Sequence, residues 1–356
     1  MRHLAYCPYT LKFRFDAGTS RGVMKTKKTF FIKVWDDSEP DIAGYGEVAW
    51  FRGLSPESEE KVLGQLEEAG RLLSADLQPK TGMLGSVVTY GLEQALADLR
   101  QGGNGVYFSS PFLEGKREIL INGLIWMGDH ATMLSRLRQK IEEGFRCIKI
   151  KIGAIKWEEE ISLLKYIRDN FGSSLTIRVD ANGGLSPTGY MRQLDELKEY
   201  EVHSIEQPLP AGDWERMKEI CRESPVPVAL DEELIGVEPR NFQSLVSEIK
   251  PAYIVLKPAL CGGFDATKAW IELADKYGIG WWVTSSLESS MGLDALAQFV
   301  GALNVGNKVQ GLGTGNLYHN NLPTPLRLEG ERLRFIGPSD VFRSELQQLE
   351  WEEIRI

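Results

Sequence analysis

Five charged residues each end an apolar run in the middle of the chain. They are Lys151, Asp180, Glu206, Asp231 and Lys257, and successive members lie 29, 26, 25 and 26 residues apart. Three carboxylates could bind a hard cation, and a lysine beside such a cation could remove a proton from the carbon next to a substrate carboxylate. This chemistry requires a fold that brings the five side chains together.

The first of these runs, residues 147–153, alternates strictly between two faces. Isoleucines occupy one face, while Cys147, Lys149 and Lys151 occupy the other. Alternation with a period of two is typical of a β-strand. Considered alone, the run is compatible with a half-exposed strand whose lysines lie in water. The runs that follow favour a different interpretation.

Four further apolar runs follow at a regular period. They span residues 176–180, 203–206, 226–231 and 253–257. Helical patterns lie between runs, for example at 158–170 and 188–200. Strands that alternate with helices at this spacing predict βαβ units and a parallel sheet.

The residue before each terminal charge indicates which way the charge points. These preceding residues are apolar: Ile150, Val179, Ile205, Leu230 and Leu256. In a closed barrel, one parity of each strand packs against the outer helices and the other faces the lumen. We therefore expect the charges to point inward at the carboxyl ends of the strands, where such barrels place their catalytic groups. Buried there, they should be paired or should bind a metal.

The carboxylates Asp180, Glu206 and Asp231 are the candidate metal ligands. The run ends that carry them contribute oxygen donors and no cysteine or histidine ligand, a set that favours Mg²⁺, with Mn²⁺ as a substitute. The alternative is a structural ion network in which the carboxylates pair with Arg178 and the lysines.

The lysines give the predicted site its second function. Lys149 and Lys151 come from one strand and Lys257 from a distant one, so they could flank a small-molecule carboxylate. Removal of its α-proton gives an enediolate, whose charge Mg²⁺ stabilises. A lysine can be the base if its pKa is lowered toward ~7–8. The alternative for Lys257 is a strand-end lysine that reaches solvent.

The strand–helix period divides the chain into three regions. Residues 1–115 do not show this period, and we expect them to form an α+β domain. We expect residues 116–321 to form the barrel and residues 322–356 to form short strands that pack back on the N-terminal domain. The N-terminal strands are expected at 9–15, 29–35 and 46–50, with helices at 56–73 and 84–100; in the barrel, strands 1, 7 and 8 are expected at 119–126, 280–286 and 308–313. The loop at 17–22 is either an ordinary hairpin loop or a mobile lid.

Composition narrows the possible partners. The chain has 356 residues, which suits a barrel of about 250 residues plus an extra domain. A net charge of −9 argues against nucleic acid or an anionic membrane as a main partner. No run approaches a membrane span and the start lacks a signal-peptide core, so we expect a cytoplasmic protein. The dispersed histidines and cysteines give no support for a zinc site, and no pattern indicates an oligomeric state.

Together these motifs resemble the enolase superfamily, in its muconate-lactonizing-enzyme-like subgroup, over nearly the whole chain. The matching motifs are Lys149-Ile150-Lys151, Asp180 in Val-Asp-Ala-Asn, Glu206 in Ile-Glu-Gln-Pro, Asp231 in Leu-Asp-Glu and Lys257 in Leu-Lys-Pro. The resemblance implies an α/β fold, a modified (β/α)7β TIM-like barrel with an α+β capping domain. Lysine or histidine bases that work with Mg²⁺ are established for such sites.

Within the superfamily, the segment 284–293 (Thr-Ser-Ser-Leu-Glu-Ser-Ser-Met-Gly-Leu) resembles the o-succinylbenzoate synthases of menaquinone biosynthesis. That resemblance implies dehydration of 2-succinyl-6-hydroxy-2,4-cyclohexadiene-1-carboxylate. Lys151 would take the α-proton and then protonate the departing hydroxyl, and Lys257 would stabilise the enediolate as a cation. Lys149 would hold the substrate carboxylate. Ser286 and the backbone of 311–313, including Gly313, would contact the succinyl carboxylate.

Three other functions stay open. An N-succinylamino acid racemase would use the same metal, with Lys151 and Lys257 as two bases. A phosphate-binding barrel enzyme is suggested by the glycines of 311–315, although no lysine or serine follows at P-loop spacing. A non-catalytic binding barrel would be expected to have lost some of the five charges, and none is lost. The strand 8 segment lacks the Asp-x-Asp motif of dipeptide epimerases, which argues against that branch.

Overall fold

The computed structural model describes residues 1–19, 22–77, 82–153, 155–337 and 340–354. The strands are β1 Arg2–Thr19, β2 Gly22–Asp36, β3 Ala43–Val48, β4 Ile119–Leu120, β5 Gly123–Ile125, β6 Cys147–Lys151, β7 Thr176–Asp180, β8 Ser204–Glu206, β9 Val228–Leu230, β10 Tyr253–Leu256, β11 Gly280–Val283, β12 Leu326–Glu329, β13 Arg332–Phe335 and β14 Glu352–Glu353. The helices are α1 Glu59–Ser74, α2 Ser86–Arg100, α3 His130–Glu142, α4 Trp157–Phe171, α5 Tyr190–Glu199, α6 Trp214–Glu223, α7 Phe242–Ile249, α8 Gly263–Tyr277, α9 Ser290–Ala302 and α10 Asp340–Gln347.

The N-terminal strands form an antiparallel sheet in the order β14-β1-β2-β3. One face of β2 buries Phe30, Ile32 and Val34 in a cluster that includes apolar residues of α1 and α2. Helix α2 also packs tightly on β3, because a Cβ atom added at Gly44 would lie 2.0 Å from the carbonyl oxygen of Ala95. The predicted strands and helices of this region are confirmed, although β1 and β2 are longer than predicted and β3 begins three residues earlier and ends two residues earlier.

The middle of the chain forms a parallel sheet in the order β11-β10-β9-β8-β7-β6-β5. The register pairs Lys151 with Asp180 and Asp180 with Glu206, so the charged strand ends are aligned. The preceding apolar residues, such as Ile150 and Val179, are buried in the main core together with residues of the surrounding helices. The predicted βα alternation and the two-sided parity are therefore confirmed.

Three strands of the predicted barrel differ from expectation. The region 119–126 contains two short strands, β4 and β5, instead of one. The segment 308–313 makes isolated parallel bridges, Ile121 to Gln310 and Thr284 to Gly311, instead of a regular strand. The backbone bonds from Gly311 N to Val283 O (2.8 Å) and from Asn122 N to Gln310 O (3.0 Å) nevertheless link both sides of the ring. Strand β11 also ends three residues earlier than predicted.

The C-terminal segment has two different neighbours. Strands β12 and β13 form a sheet with β4, so the prediction that they pack on the N-terminal domain is wrong for this pair. The cause is apolar burial, since Leu333 pairs with Ile119 and both lie in the main core. Strand β14 does pair with β1. The domain boundaries at 115/116 and 321/322 stay predictions.

The predicted loop at 17–22 overlaps the strands that it connects, because β1 continues to Thr19 and β2 begins at Gly22. The strands stay paired up to Thr19 and Gly22, as in a β-hairpin, while Ser20 and Arg21 lie outside the described residues. A lid motion of this loop stays a hypothesis. Among the helices of the described ranges, none is long and apolar enough to cross a membrane.

Candidate active site

A cavity of about 400 Å³ lies at the carboxyl ends of the parallel strands. Three of the predicted charges, Lys151, Asp180 and Lys257, line it together with Lys149. Residues from the N-terminal part of the chain, including Met24 and Leu54, line it as well. Residues from both parts of the fold therefore line the cavity. The other two predicted charges, Glu206 and Asp231, do not line it, but they contact Lys149 and Lys257, which do.

Lys149 lies between two of the carboxylates. Its Nζ atom is 2.6 Å from both Oε1 and Oε2 of Glu206 and 2.9 Å from Oδ2 of Asp180. Burial opposes the charge of Lys149, but the anions Asp180 and Glu206 outweigh it and raise the pKa of Lys149 above its ordinary value. Lys149 is therefore an ammonium ion and is unsuited to be the base.

The two carboxylates beside Lys149 differ in their titration. Burial opposes ionisation of Asp180, but Lys149 and Lys151 outweigh it and lower the pKa of Asp180 below its usual range. Burial, with the negative charge of Asp180, raises the pKa of Glu206 to about 8. Ionisation of Glu206 therefore depends on a cation beside it.

Lys151 is oriented by two oxygen acceptors. Its Nζ atom lies 3.0 Å from Oδ2 of Asp180 and 2.7 Å from Oδ1 of Asn182. Asn182 has a left-handed backbone (φ 44°), donates its N–H to Asp180 and donates its amide to Oε1 of Glu232 at 3.0 Å. Sequence reasoning missed Asn182, although it stands in the quoted Val-Asp-Ala-Asn motif.

Lys257 follows β10, which lies four positions from the lysine-bearing strand β6 in the sheet. It contacts the third carboxylate, Asp231. Its Nζ atom donates to Oδ2 of Asp231, and its side chain is 12% exposed. Burial opposes the charge, but Asp231 and Glu232 outweigh it and raise the pKa of Lys257. The interpretation of Lys257 as a strand-end lysine in solvent is therefore wrong.

Gln207 is a second residue that sequence reasoning missed. Its side-chain oxygen accepts the backbone N–H groups of Asp231 (3.1 Å) and Glu233 (3.2 Å). Its own backbone is left-handed, with φ 41°. Gln207 thereby fixes the turn that follows β9 and aims Asp231 into the site. The signal was available in the Ile-Glu-Gln-Pro motif, immediately after Glu206.

The donor set fits a hard cation. Asp180, Glu206 and Asp231 have side chains that are at most 3% exposed, and all three offer only oxygen. Within the described ranges, no group of three or more His, Cys, Asp or Glu side chains has the arrangement of a metal site. Lys149 and Lys257 now occupy the carboxylate oxygens, so a metal ion would bind by displacing these ammonium groups.

Arg178 does not join the carboxylates. Its guanidinium lies 4.0 Å from the centre of the Trp282 ring, and its Nη1 atom donates to the carbonyl of Val309 at 3.1 Å. The alternative was an ion network in which the carboxylates pair with Arg178 and the lysines. Its pairing with Arg178 is wrong.

The other end of the cavity carries the predicted succinyl contacts. Ser286 and Gly313 both line it, beside apolar residues such as Leu54 and Trp126. The hydroxyl of Ser286 donates to Oε1 of Glu288 at 2.7 Å. The cavity is therefore lined by charged residues at the strand termini and also by polar and apolar residues.

Comparison with known proteins gives consistent findings. The family model for enolase C-terminal domain-like proteins matches residues 132–335. An o-succinylbenzoate synthase from Desulfotalea psychrophila is 41% identical over 92% of this chain and 97% of its own length. An N-succinylamino acid racemase from Thermus thermophilus is 30% identical over 79% of this chain and 77% of its own.

Solved structures agree with these relatives. The crystal structure of MenC from Desulfotalea psychrophila superposes with a TM-score of 0.81 and 36% identity, covering 94% of this chain and 99% of that one. Muconate lactonizing enzyme from Pseudomonas putida has a TM-score of 0.77 and 19% identity, covering 97% and 98% of the two chains, which shows the fold alone. The expected modified TIM-like barrel with an α+β capping domain is confirmed.

Proposed function

The chain belongs to the enolase superfamily, and we propose that it is an o-succinylbenzoate synthase, a carbon–oxygen lyase. One structural observation carries this proposal. Lys151 and Lys257 project from strands four positions apart onto one cavity, and each contacts a carboxylate at a strand end. The 41% identity to a named synthase over nearly the whole chain supports the same activity.

The three buried carboxylates are the proposed metal ligands. Asp180, Glu206 and Asp231 would hold Mg²⁺, or Mn²⁺ in its place, and the bound ion would stabilise negative charge on the substrate carboxylate. Lys149 lies within 2.9 Å of two of these ligands and would help to hold the same carboxylate.

Lys151 is the proposed acid–base residue. In its neutral form it takes the α-proton of 2-succinyl-6-hydroxy-2,4-cyclohexadiene-1-carboxylate, and the electron pair moves into the carboxylate to give an enediolate. The ammonium of Lys151 then gives its proton to the 6-hydroxyl, which leaves as water while the ring becomes aromatic. Asn182 accepts a hydrogen bond from Nζ of Lys151 and so fixes its direction.

Lys257 has a separate role in this proposal. Its ammonium is held by Asp231 and lies across the cavity from Lys151, where it stabilises the enediolate as a cation. Ser286 and Gly313, which also line the cavity, are the proposed neighbours of the succinyl carboxylate. The partner is thus a small-molecule dicarboxylate, and we place the reaction in the cytoplasm.

Racemisation of N-succinylamino acids is the second candidate. A racemase relative is 30% identical to this chain, and two lysines on opposite sides of one cavity could exchange an α-proton on either face. Incubation of the protein with each substrate in D₂O, with Mg²⁺, separates the two functions. Aromatic product from the cyclohexadiene supports the synthase. Deuterium at the α-carbon of N-succinylamino acids, without aromatic product, contradicts it in favour of the racemase.

A further inference from the structure

Glu288 is a fully buried carboxylate behind the wall of the cavity, and the proposed mechanism does not use it. Its Oε2 atom accepts the hydroxyl of Ser285 at 2.5 Å and its Oε1 atom accepts the hydroxyl of Ser286 at 2.7 Å. Both serines line the cavity. One carboxylate therefore orients two polar groups of the wall that would face the substrate.

These bonds decide what the serines can offer a ligand. An ionised carboxylate only accepts hydrogen bonds, so both hydroxyl hydrogens point at Glu288. The oxygen of Ser285 also accepts from Oγ1 of Thr314 (2.8 Å) and from the N–H of Leu287 (2.9 Å), which uses its remaining capacity. Ser286 offers the cavity only hydroxyl lone pairs, so its donation to a substrate carboxylate would have to come from its backbone N–H.

Glu288 also supports an unusual backbone. Leu287 has φ 62°, in the left-handed region that non-glycine residues rarely adopt. The N–H of Leu287 is held by Ser285, and the hydroxyl of Tyr318 donates to the carbonyl of Leu287 at 2.7 Å. Because Ser285 is itself fixed by Glu288, the shape of the wall depends on this carboxylate.

A second buried carboxylate, Glu47 of β3, approaches Glu288 at the start of α9. A Cβ atom added at Gly292 would lie 2.6 Å from Oε2 of Glu47 and 2.8 Å from Cβ of Glu288. Glu47 binds the start of α9, since it accepts the N–H groups of Ser289 (2.9 Å) and Gly292 (3.1 Å). Glu288 instead binds the two serine hydroxyls of the cavity wall.

We propose that Glu288 is a positioning residue for substrate binding that acts through Ser285 and Ser286. This inference rests on the proposed synthase function, because the substrate is the ligand of that wall.

The test compares Glu288→Gln with Glu47→Gln. An amide has one acceptor oxygen, so one serine hydroxyl must turn away in Glu288→Gln. We expect KM for the cyclohexadiene substrate to rise about tenfold while kcat stays within about threefold, as for a lost ground-state contact. The Kd for Mg²⁺ should not change. Glu47→Gln is the matched control, because it removes a buried carboxylate that touches neither serine, and it should lower stability without changing KM.

The outcomes separate this inference from the proposed function. If the parent protein converts no substrate, the synthase function fails, and the substrate role of Glu288 fails with it. If the parent is active and Glu288→Gln keeps KM within about twofold of the parent, only the role of Glu288 is overturned.

Discussion

The ammonium of Lys149 lies 2.6 Å from both carboxylate oxygens of Glu206, and both side chains are buried. Because Glu206 is buried beside Asp180, this lysine supplies the charge that a metal would otherwise supply. Lys149 therefore neutralises the buried carboxylates of the site, in addition to its proposed contact with the substrate.

Lys149→Met should destabilise the metal-free protein by about 3–5 kcal/mol, because two buried carboxylates lose their shared cation. Mg²⁺ should then raise the urea midpoint more in the variant than in the parent, since the ion restores the missing charge. Urea unfolding with Mg²⁺ and with chelator measures both effects. Lys165→Met, which removes an exposed ion pair with Asp169 on α4, is the control and should change little. Equal Mg²⁺ effects on the urea midpoint in Lys149→Met and the parent would contradict the claim that Lys149 neutralises these carboxylates.

Asp294 predicts a pH dependence of stability. This residue of α9 is buried, burial raises its pKa from 3.8 to about 8, and its oxygens accept from Gln298 at 3.2 Å. Between these pH values the folded state holds a proton that the unfolded state has lost, so this residue's contribution to stability falls as pH rises.

Asp294→Asn removes that titration. Its free energy of unfolding relative to the parent should increase by about 2 kcal/mol between pH 5 and pH 7. The exposed Asp169 provides the comparison, and Asp169→Asn should show no such trend. Urea unfolding at several pH values measures it, and parallel pH profiles for Asp294→Asn and the parent would disprove the assignment.

The contact between β3 and α2 predicts a steric effect. A Cβ atom at Gly44 would lie 2.0 Å from the carbonyl oxygen of Ala95 and 2.4 Å from the N atom of Leu99. Gly44→Ala should therefore destabilise the protein by about 2–4 kcal/mol, since helix and strand must separate. Gly64→Ala in α1 is the matched control, because a Cβ there meets open space and alanine favours helix by up to ~1 kcal/mol. Chemical denaturation compares them, and a neutral Gly44→Ala would contradict the packing.

The sequence was sufficient to predict the barrel and its charged strand ends. A period of two fixes which face of each strand a residue occupies, and parallel strands of a barrel end at the same rim. Lys151, Asp180 and Glu206 meet in register for this reason. Their proposed roles in catalysis and metal binding stay predictions.

Other parts depend on information that local patterns do not carry. The contributions of Asn182 and Gln207 arise from left-handed backbone conformations at the ends of β7 and β8. The pairing of β12 and β13 with β4 depends on which distant apolar surface is available. The hydrogen bonds from Ser289 to Glu47 join residues 242 positions apart in the chain, a distance over which neither alternation nor helical period is informative.

The most direct test of the central claim is ultraviolet detection of aromatic product from 2-succinyl-6-hydroxy-2,4-cyclohexadiene-1-carboxylate. The parent protein should form it with Mg²⁺ and stop when chelator is added. Lys151→Ala should retain the circular dichroism spectrum of the parent and lose about 10²–10⁴-fold in kcat, because the proton acceptor is gone. A folded Lys151→Ala variant with a rate close to that of the parent, or a folded parent that forms no product with Mg²⁺, would contradict the account.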